Sequence, residues 1–551
     1  MADVVDLIGN FGRWQGFFVA FVTYRGILTG LNNMAYVFLV TNNDHWCSYS
    51  DKDGNMTSEQ LKRMFIPYDN VSESYSQCLM YDVPLNGTTG VDNATTIPCD
   101  SWIYDEHVFG HSVSNEWDLV CERKWQKSLV QSSYMGCLML GVIIIGNLSD
   151  RYGRRIVALW SSILLALSSV ACVFSNSFYF FLAARVGIAF GISGLQVASF
   201  SLLAETIGPK SRIALNICYG YGWIAGILLL PGIVWFVEDW RKLYIINSVL
   251  GVSILVMLPW LYESPRWLLS TGQKTKACEA IKKIAKFNRR RPQDIEKEVE
   301  RLMETKVGVD KSVRGKVSTA ELFKTKYLRR NTILLLSCSF FSYIVYYGFA
   351  RSSTTLGGNP FITFAITAAI ETVGYTLSLG TTKYLKRIPI MAGSYGFFGV
   401  TLVATAFTPK VLSTLRITIR MMGWLVYTLG YTTQFIYINE VFPTVARSGA
   451  FGLCTTFGRL GATLEPWIYI ATQSWGDTLV LIIYSVMILA IAALVTLLPE
   501  TFGSVLTDTL EEGERYSETK LSKKKSVQDH VEHLEAYKKV ATVDGEAEIR
   551  V

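Results

Sequence analysis

Apolar residues in this chain come in blocks rather than stripes. They fill runs near 15–40, 128–148, 156–174, 178–203, 213–237 and 243–261, and beyond a long polar stretch near 331–350, 361–382, 389–408, 411–438, 448–473 and 477–498. Runs of this length suit a bilayer, whose roughly 30 Å of hydrocarbon takes about 20 apolar residues to cross. They must be helical, because lipid offers no partner to a free backbone amide. The pattern predicts an all-α membrane protein with twelve transmembrane helices; seven or eleven spans are the competing counts. Within the polar stretch 262–330, KTKACEAIKKIAKF and DIEKEVERLMETK carry apolar residues at helical spacing. Both read as amphipathic helices expected against the inner membrane surface or the cytosolic mouth, the alternative being a solvated linker.

Charge then orients the spans. The segment 262–330 holds 19 Lys and Arg against 9 Asp and Glu, and the turn after the second span reads Arg151-Tyr152-Gly153-Arg154-Arg155. Basic loops favour the cytoplasmic side. Both segments are therefore expected inside, which puts both termini in the cytosol and requires an even number of spans. The N-terminal residues lack the basic n-region and small-residue cleavage site of a signal peptide, so the first apolar run is expected to stay in the protein. The expected organisation is a cytosolic N-terminus 1–14, a six-helix half 15–261 with an extracellular loop 41–127, a basic cytosolic loop 262–330, a second six-helix half 331–498, and a charged cytosolic tail 499–551. The extracellular loop carries sequons at Asn55, Asn70, Asn86 and Asn93 and four cysteines, Cys47, Cys78, Cys99 and Cys121. Four sequons in a loop independently placed outside predict a glycoprotein. An even set of cysteines in an oxidising compartment predicts two disulfides, with three connectivities open.

The two halves repeat. Glu205 and Glu440, Arg212 and Arg447, and Arg185 and Arg420 are each offset by 235, and Glu263 and Glu500 by 237. Two six-span halves related in this way indicate a major facilitator architecture. In that architecture the substrate site is expected near the midplane between the halves, which rock around it.

The repeat also sorts the buried charges. A charge in mid-membrane costs at least ~2.5–3.5 kcal/mol on insertion scales. Arg185 and Arg420 mirror each other and read as structural. Asp150, Arg151, Arg154, Arg155, Glu205, Arg212, Glu440 and Arg447 sit at predicted cytosolic helix ends, where ion-pair networks would latch a gate; ordinary positive-inside charge is the plainer reading. Glu371, Arg459, Arg25 and Glu465 lack counterparts. A substrate is asymmetric, so Glu371 and Arg459 are the better binding candidates, unless they serve as a salt bridge to each other. Aromatic faces attract organic cations, which adds Tyr346 and Tyr347, Tyr219, Tyr221 and Trp223, and Tyr427 and Tyr431. Asn33 in the first span completes the candidate set.

Several motifs together resemble the organic cation, organic anion and carnitine transporters, solute carrier family 22. They are Asn115-Glu116-Trp117-Asp118-Leu119-Val120-Cys121, Asn147-Leu148-Ser149-Asp150-Arg151-Tyr152-Gly153-Arg154-Arg155, Glu263-Ser264-Pro265-Arg266-Trp267-Leu268-Leu269 and Pro499-Glu500-Thr501-Phe502-Gly503. The likeness covers about residues 10 to 512. It implies that Arg459 stands where cation transporters have Asp and where anion and carnitine transporters have Arg. Anion transporters place a Lys in the eighth helix, at a position aligned with Gly374, where this chain has none. The surroundings of Glu371 and Tyr375 are similar to the carnitine branch; Arg25 and Glu465 depart from it.

Composition narrows the function classes. Only 18% of the residues are charged, and half are hydrophobic. A soluble domain averages about 25% charged. The net charge of +7 lies mainly in one loop and reads as topology, so no nucleic-acid partner is expected. No nucleophile–base pair, metal spacing or nucleotide loop points to an enzyme or a cofactor, although sodium coupling at an unidentified site stays open. The expected activity is plasma-membrane transport of a small organic ion, preferably a zwitterion such as carnitine. Organic anion transport, organic cation transport and a non-transporting receptor or scaffold are the alternatives.

Overall fold

A computed structural model of the chain describes residues 7–9, 11–41, 43–48, 58–69, 74–82, 95–290, 295–297, 299–301, 319–355, 359–409, 411–473, 475–504, 506–520 and 522. All four sequon asparagines fall outside the described residues. Each predicted span is a helix: α1 Arg13–Met34, α2 Trp125–Tyr152, α3 Arg154–Val173, α4 Phe178–Thr206, α5 Pro209–Val237, α6 Trp240–Met257, α7 Lys326–Ser352, α8 Pro360–Tyr384, α9 Arg387–Phe407, α10 Ser413–Val441, α11 Arg447–Gln473 and α12 Asp477–Thr496. Nine helices among the described residues are long and apolar enough to cross a membrane. The exceptions are α1, α10 and α11. Their hydropathy is lowered by polar residues that the fold hides, including Arg25, Asn32 and Asn33 on α1, Arg420 and Gln434 on α10, and Glu465 on α11, all buried.

The chain forms two compact units. Unit 1 comprises Met1–Gly308, Gly348–Ala368 and Thr463–Ala471; unit 2 comprises Val309–Tyr347, Ala369–Ala462 and Thr472–Val551. The third helix of each half is a packing hub. In unit 1, α3 packs on α4 and α6; in unit 2, α9 packs on α10 and α12. The repeat seen as charged residues at a fixed offset is thus also a repeat of helix neighbours.

In unit 1, α1 lies against α5 through two reciprocal glycine pairs. A Cβ at Gly26 would sit 2.9 Å from the carbonyl oxygen of Tyr219, and one at Gly30 would sit 2.4 Å from that of Trp223. From the other side, Gly222 and Gly226 each face an α1 carbonyl, those of Thr23 and Ile27, at 2.3 Å. Lipid tails are as apolar as the helices, so close backbone approach across small residues supplies the association energy that water would supply in a soluble protein.

The loop after α1 is not helical throughout. It contains three two-stranded antiparallel sheets, pairing His45–Cys47 with Trp102–Tyr104, Tyr68–Asp69 with Ser74–Tyr75, and Leu79–Tyr81 with Thr96–Pro98. Of the three possible connectivities, the structure has Cys47–Cys99 and Cys78–Cys121. The Cys47–Cys99 bridge staples the first sheet to the third.

The predicted amphipathic helix is Lys274–Phe287, but its apolar face does not lie on lipid. Ala277, Ile281, Ile284 and Ala285 form a core with Ile8, Trp14, Leu268, Ile295 and Val299. The chain's N-terminal segment is the cover. Asn288 accepts a hydrogen bond from the Trp14 backbone N–H at 2.8 Å and donates to the Ile8 carbonyl at 2.7 Å. The second amphipathic segment is described at 295–297 and 299–301, where it is helical. It pairs Glu296 with Lys282 and Glu300 with Lys274. The start of the tail is likewise docked. Residues 510–520 are helical, and the Glu514 carboxylate accepts the backbone N–H groups of Tyr327 and Leu328 at 2.8 Å each, at the start of α7. A carboxylate there satisfies two of the amides that a helix N-terminus leaves without a partner.

Candidate functional site

In unit 2 the candidate residues gather on α7. The Glu371 carboxylate of α8 is 8% exposed and accepts the Tyr346 hydroxyl at 3.0 Å. The Tyr346 ring stacks on Tyr431 of α10 at 5.3 Å and meets Tyr347 edge-on at 5.3 Å. Tyr427 stacks on Tyr431 at 5.7 Å and on Trp424 at 5.0 Å. These three sit at i, i+3 and i+7 of α10, on one face. Tyr427 is fully buried and donates its hydroxyl to the Ser342 carbonyl at 2.9 Å, so its role is packing. Tyr431 is half-buried, while Tyr346 and Tyr347 are buried. A negative carboxylate set among electron-rich ring faces forms a pole suited to an ammonium head.

Arg459 lies on α11, half-buried. Its flanking glycines fix that helix against α7: a Cβ at Gly458 would sit 2.6 Å from the Tyr343 ring, and one at Gly461 would sit 2.3 Å from the Phe340 carbonyl oxygen. Tyr343 in turn contacts Tyr347 and Tyr431 at 6.3 and 6.1 Å. The guanidinium and the Glu371 carboxylate therefore stand on helices packed against the same stretch of α7. Gly374, the position aligned with a Lys in anion transporters, is turned into helix packing. A Cβ there would lie 2.8 Å from Thr428 Cβ and 3.0 Å from the Leu425 carbonyl oxygen of α10.

Unit 1 places the remaining candidates separately. Arg25 is 1% exposed and lies over the half-buried Tyr219 ring, 4.4 Å from its centre. Tyr221 and Trp223 are half-buried on α5 beside the glycine contact. Asn33 accepts the Tyr134 hydroxyl at 2.6 Å within the helix packing. Glu465, which the sequence left without a role, is 0% exposed and ion-paired with Arg351, whose guanidinium lies 3.2 Å from the centre of the Tyr469 ring. Arg351 is a residue sequence reasoning missed, because no motif or repeat links positions that far apart.

The predicted gate residues resolve into two matching knots, one in each unit. In unit 1, Arg154 bonds Asp150 at 2.8 Å and Glu205 at 2.9 Å, while the Glu263 carboxylate accepts the backbone N–H groups of Arg154 and Arg155 at 2.9 and 3.0 Å. Gly153, at φ +104°, is needed at this turn, since a Cβ would stand 2.6 Å from Glu263 Oε2. In unit 2, Arg387 bonds Glu440 at 2.9 Å, and Glu500 accepts the backbone N–H groups of Arg387 and Ile388 at 3.0 Å each. Arg387 was not singled out from the sequence because it lacks the Gly that precedes Arg154; its place one residue into α9, mirroring Arg154 on α3, was the available signal. Other expectations do not hold. Arg447 makes no ion pair among the described residues, and Glu440 takes Arg387 in its place. Arg151 is exposed beside Tyr152, and Arg155 contributes only its backbone. The Arg212 side chain lies outside the described residues. Arg185 and Arg420 occupy matching buried places on α4 and α10.

One Cys/His constellation exists in the first loop, where ligand atoms of His45, Cys78 and Cys121 come within 4.8 Å of one another. The two sulfurs are joined in a disulfide, which leaves no thiolate to bind a metal.

Residues 57–512 match the sugar (and other) transporter family. The chain is 30% identical over 524 residues to an organic cation transporter protein of Drosophila melanogaster, covering 93% of this chain and 94% of the relative. It is 31% identical over 475 residues to human solute carrier family 22 member 11, covering 84% and 86%. It is 26% identical over 540 residues to solute carrier family 22 member 6 of Pseudopleuronectes americanus, covering 95% and 96%. Among solved structures, the partially occluded inward-open xylose transporter XylE of E. coli superposes with a TM-score of 0.59 at 15% identity, covering 90% of this chain and all of that one. A crystal structure of a D-xylose–proton symporter gives 0.57 at 16%, with 90% and 100% covered. At that identity the likeness establishes the fold alone. By sequence and by fold the chain is a multi-pass membrane transporter rather than an enzyme, and it belongs to the organic cation and organic anion transporter family, solute carrier family 22, of the major facilitator superfamily.

Proposed function

We propose that this chain is a plasma-membrane secondary transporter whose preferred substrate is a small zwitterion of the carnitine type. The observation that carries the reading is that Glu371 on α8 and Arg459 on α11 stand on two helices of unit 2 that meet the same stretch of α7. Glu371, held by Tyr346 among Tyr347 and Tyr431, offers a cation–π and carboxylate pole; Arg459, on the helix packed against Phe340 and Tyr343, offers a planar fork for a carboxylate. A zwitterion offers a group of opposite sign to each pole at once, whereas a simple organic cation engages only Glu371 and a simple anion only Arg459. The reading includes alternating access, twelve spans, cytosolic termini, and a glycosylated loop outside the cell.

A labelled-uptake panel in expressing cells tests it, with carnitine, a quaternary ammonium, an aromatic carboxylate and a zwitterionic amine, each with and without sodium. The zwitterions are expected to lead. Arg459→Ala is expected to abolish uptake of carboxylate-bearing substrates and to spare the quaternary ammonium. An Arg459→Ala protein that reaches the surface and carries carnitine with unchanged affinity would sink the proposal. Organic anion transport is the second reading, supported by Arg459 and by relatives named organic anion transporter 3. It predicts that the aromatic carboxylate leads and that Glu371→Gln leaves its uptake intact.

A further inference from the structure

Unit 1 contains a buried polar centre of its own. Arg185 on α4 is 1% exposed and makes no ion pair among the described residues. Its Nη1 donates to the Tyr244 hydroxyl at 2.7 Å, and its guanidinium lies 4.9 Å from the Tyr134 ring centre. Its Nε and Nη2 have no hydrogen-bond partner among the described residues. The flanking helices repeat this pattern among the same residues. Gln131, one turn from Tyr134 on α2, is 1% exposed and has neither amide atom bonded. Asn247, one turn from Tyr244 on α6, is 1% exposed and has neither amide atom bonded. Ser169 on α3, also 1% exposed, has an unbonded hydroxyl.

The four residues share one level. Gln131, Arg185 and Asn247 lie six or seven residues past the starts of α2, α4 and α6, all at the same end of the unit. At 1.5 Å per residue that is roughly 9–11 Å into each helix. Ser169 lies four residues before the end of the antiparallel α3, close to the same level. At that end Glu116 is occupied by Arg241 and by the Trp240 indole N–H.

Buried polar groups are as a rule satisfied, and an orphaned set calls for a water or an ion. Water would fill the hydrogen bonds and leave the guanidinium charge uncompensated in a low-dielectric interior, where an unpaired charge costs several kcal/mol. The unfilled donors are Arg185 Nε–H and Nη2–H, the two amide NH2 groups and the Ser169 hydroxyl. That inventory suits a small monovalent anion. We propose that Arg185, Gln131, Asn247 and Ser169 form a site in unit 1 for a small monovalent anion, a halide or a compact carboxylate. It is independent of the substrate poles of unit 2 and of the substrate's identity.

The test is thermal unfolding of the purified full-length transporter, with no organic substrate, at constant ionic strength. Methanesulfonate serves as the bulky reference anion, and chloride, bromide and acetate are the probes. Chloride and bromide are expected to raise the unfolding midpoint in a saturable way. Protection by acetate alone would assign the same site to carboxylates. Gln131→Leu and Asn247→Leu, which keep the charge and remove the amide, are each expected to weaken the apparent affinity roughly tenfold or more, the effect of one lost hydrogen bond to a charged partner. Arg185→Gln is expected to abolish the response, and if that variant does not fold the two amide variants still decide the matter. Equal midpoints in all four anions would overturn the proposal. So would a chloride response that survives unchanged in both amide variants, because the anion would then act elsewhere.

Discussion

Glu465 and Arg351 show how a single residue can mislead when its partner is out of view. The carboxylate is fully buried and the guanidinium half-buried, 17% exposed, with an aromatic ring under it. Removing one member of such a pair leaves an uncompensated buried charge, at a cost of about 3–5 kcal/mol, whereas replacing both by apolar groups is far milder. Arg351→Leu is therefore expected to lower the unfolding midpoint and the surface level of the protein strongly, and Arg351→Leu with Glu465→Leu to recover most of both. A double variant as weak as the single one would show that the pair does more than neutralise itself. The sequence marked Glu465 as unusual, through its missing counterpart, and could go no further, since a contact across 114 residues leaves no trace in one chain. His45 gives a pH-dependent case. Burial in the first loop pushes its pKa below the usual 6.5, against a weaker upward pull from the Asn43 carbonyl. A depressed folded pKa contributes stability that is complete above the unfolded value and is lost as pH falls through the folded one. Protection of residues 43–47 from hydrogen exchange is expected to drop as the medium is acidified below about 6.5, and His45→Phe to flatten that dependence.

Individual helices were legible wherever length and apolarity alone decide, and their neighbours were not. Every predicted span is a helix, with ends mostly within a few residues. The amphipathic helix 274–287 was legible too, but not what its apolar face meets, because a membrane surface and a protein core select the same residues. The sequence hinted at the α1–α5 contact only as a richness in glycine. Two carbonyls of α1 stand 2.3 Å from where a Cβ at Gly222 or Gly226 would lie. Gly222→Leu is expected to pry the helices apart, lowering the unfolding midpoint by more than a lipid-facing control such as Leu229→Ala does. Leu229 is 51% exposed and packs against little. Equal effects from the two would argue against the glycine contact.

At the scale of the whole chain, duplication is the organising fact. Arg154, Glu205 and Glu263 in one unit do what Arg387, Glu440 and Glu500 do in the other. In each, a carboxylate from the end of the sixth helix of its half caps the start of the third, and an arginine there ties in the fourth. Offsets in the sequence exposed the glutamates. The second arginine escaped because its local motif has diverged while its geometry has not. Since exposed pairs contribute little and networks more, each knot should act as a unit. Arg154→Gln and Arg387→Gln are each expected to slow the transport cycle severalfold while changing equilibrium substrate binding less, measured as turnover against binding on the same preparation. Normal turnover with lost binding would remove the knots from the conformational cycle.

The cover over helix 274–287 also has a meaning in time. Trp14 and Asn288 are joined across 274 residues, so a segment made early is completed by one made only near the middle of the chain. At about 5–20 residues per second, the N-terminal segment waits roughly 15–55 s for its partner. Through that interval Ile8 and Trp14 are bare, and whatever shields them during synthesis decides whether the finished chain can close. Removing the residues before Arg13 together with a Trp14→Ala change would delete no span, yet it would strip Ile8 and the Trp14 indole from the core around Ile281 and Ile284.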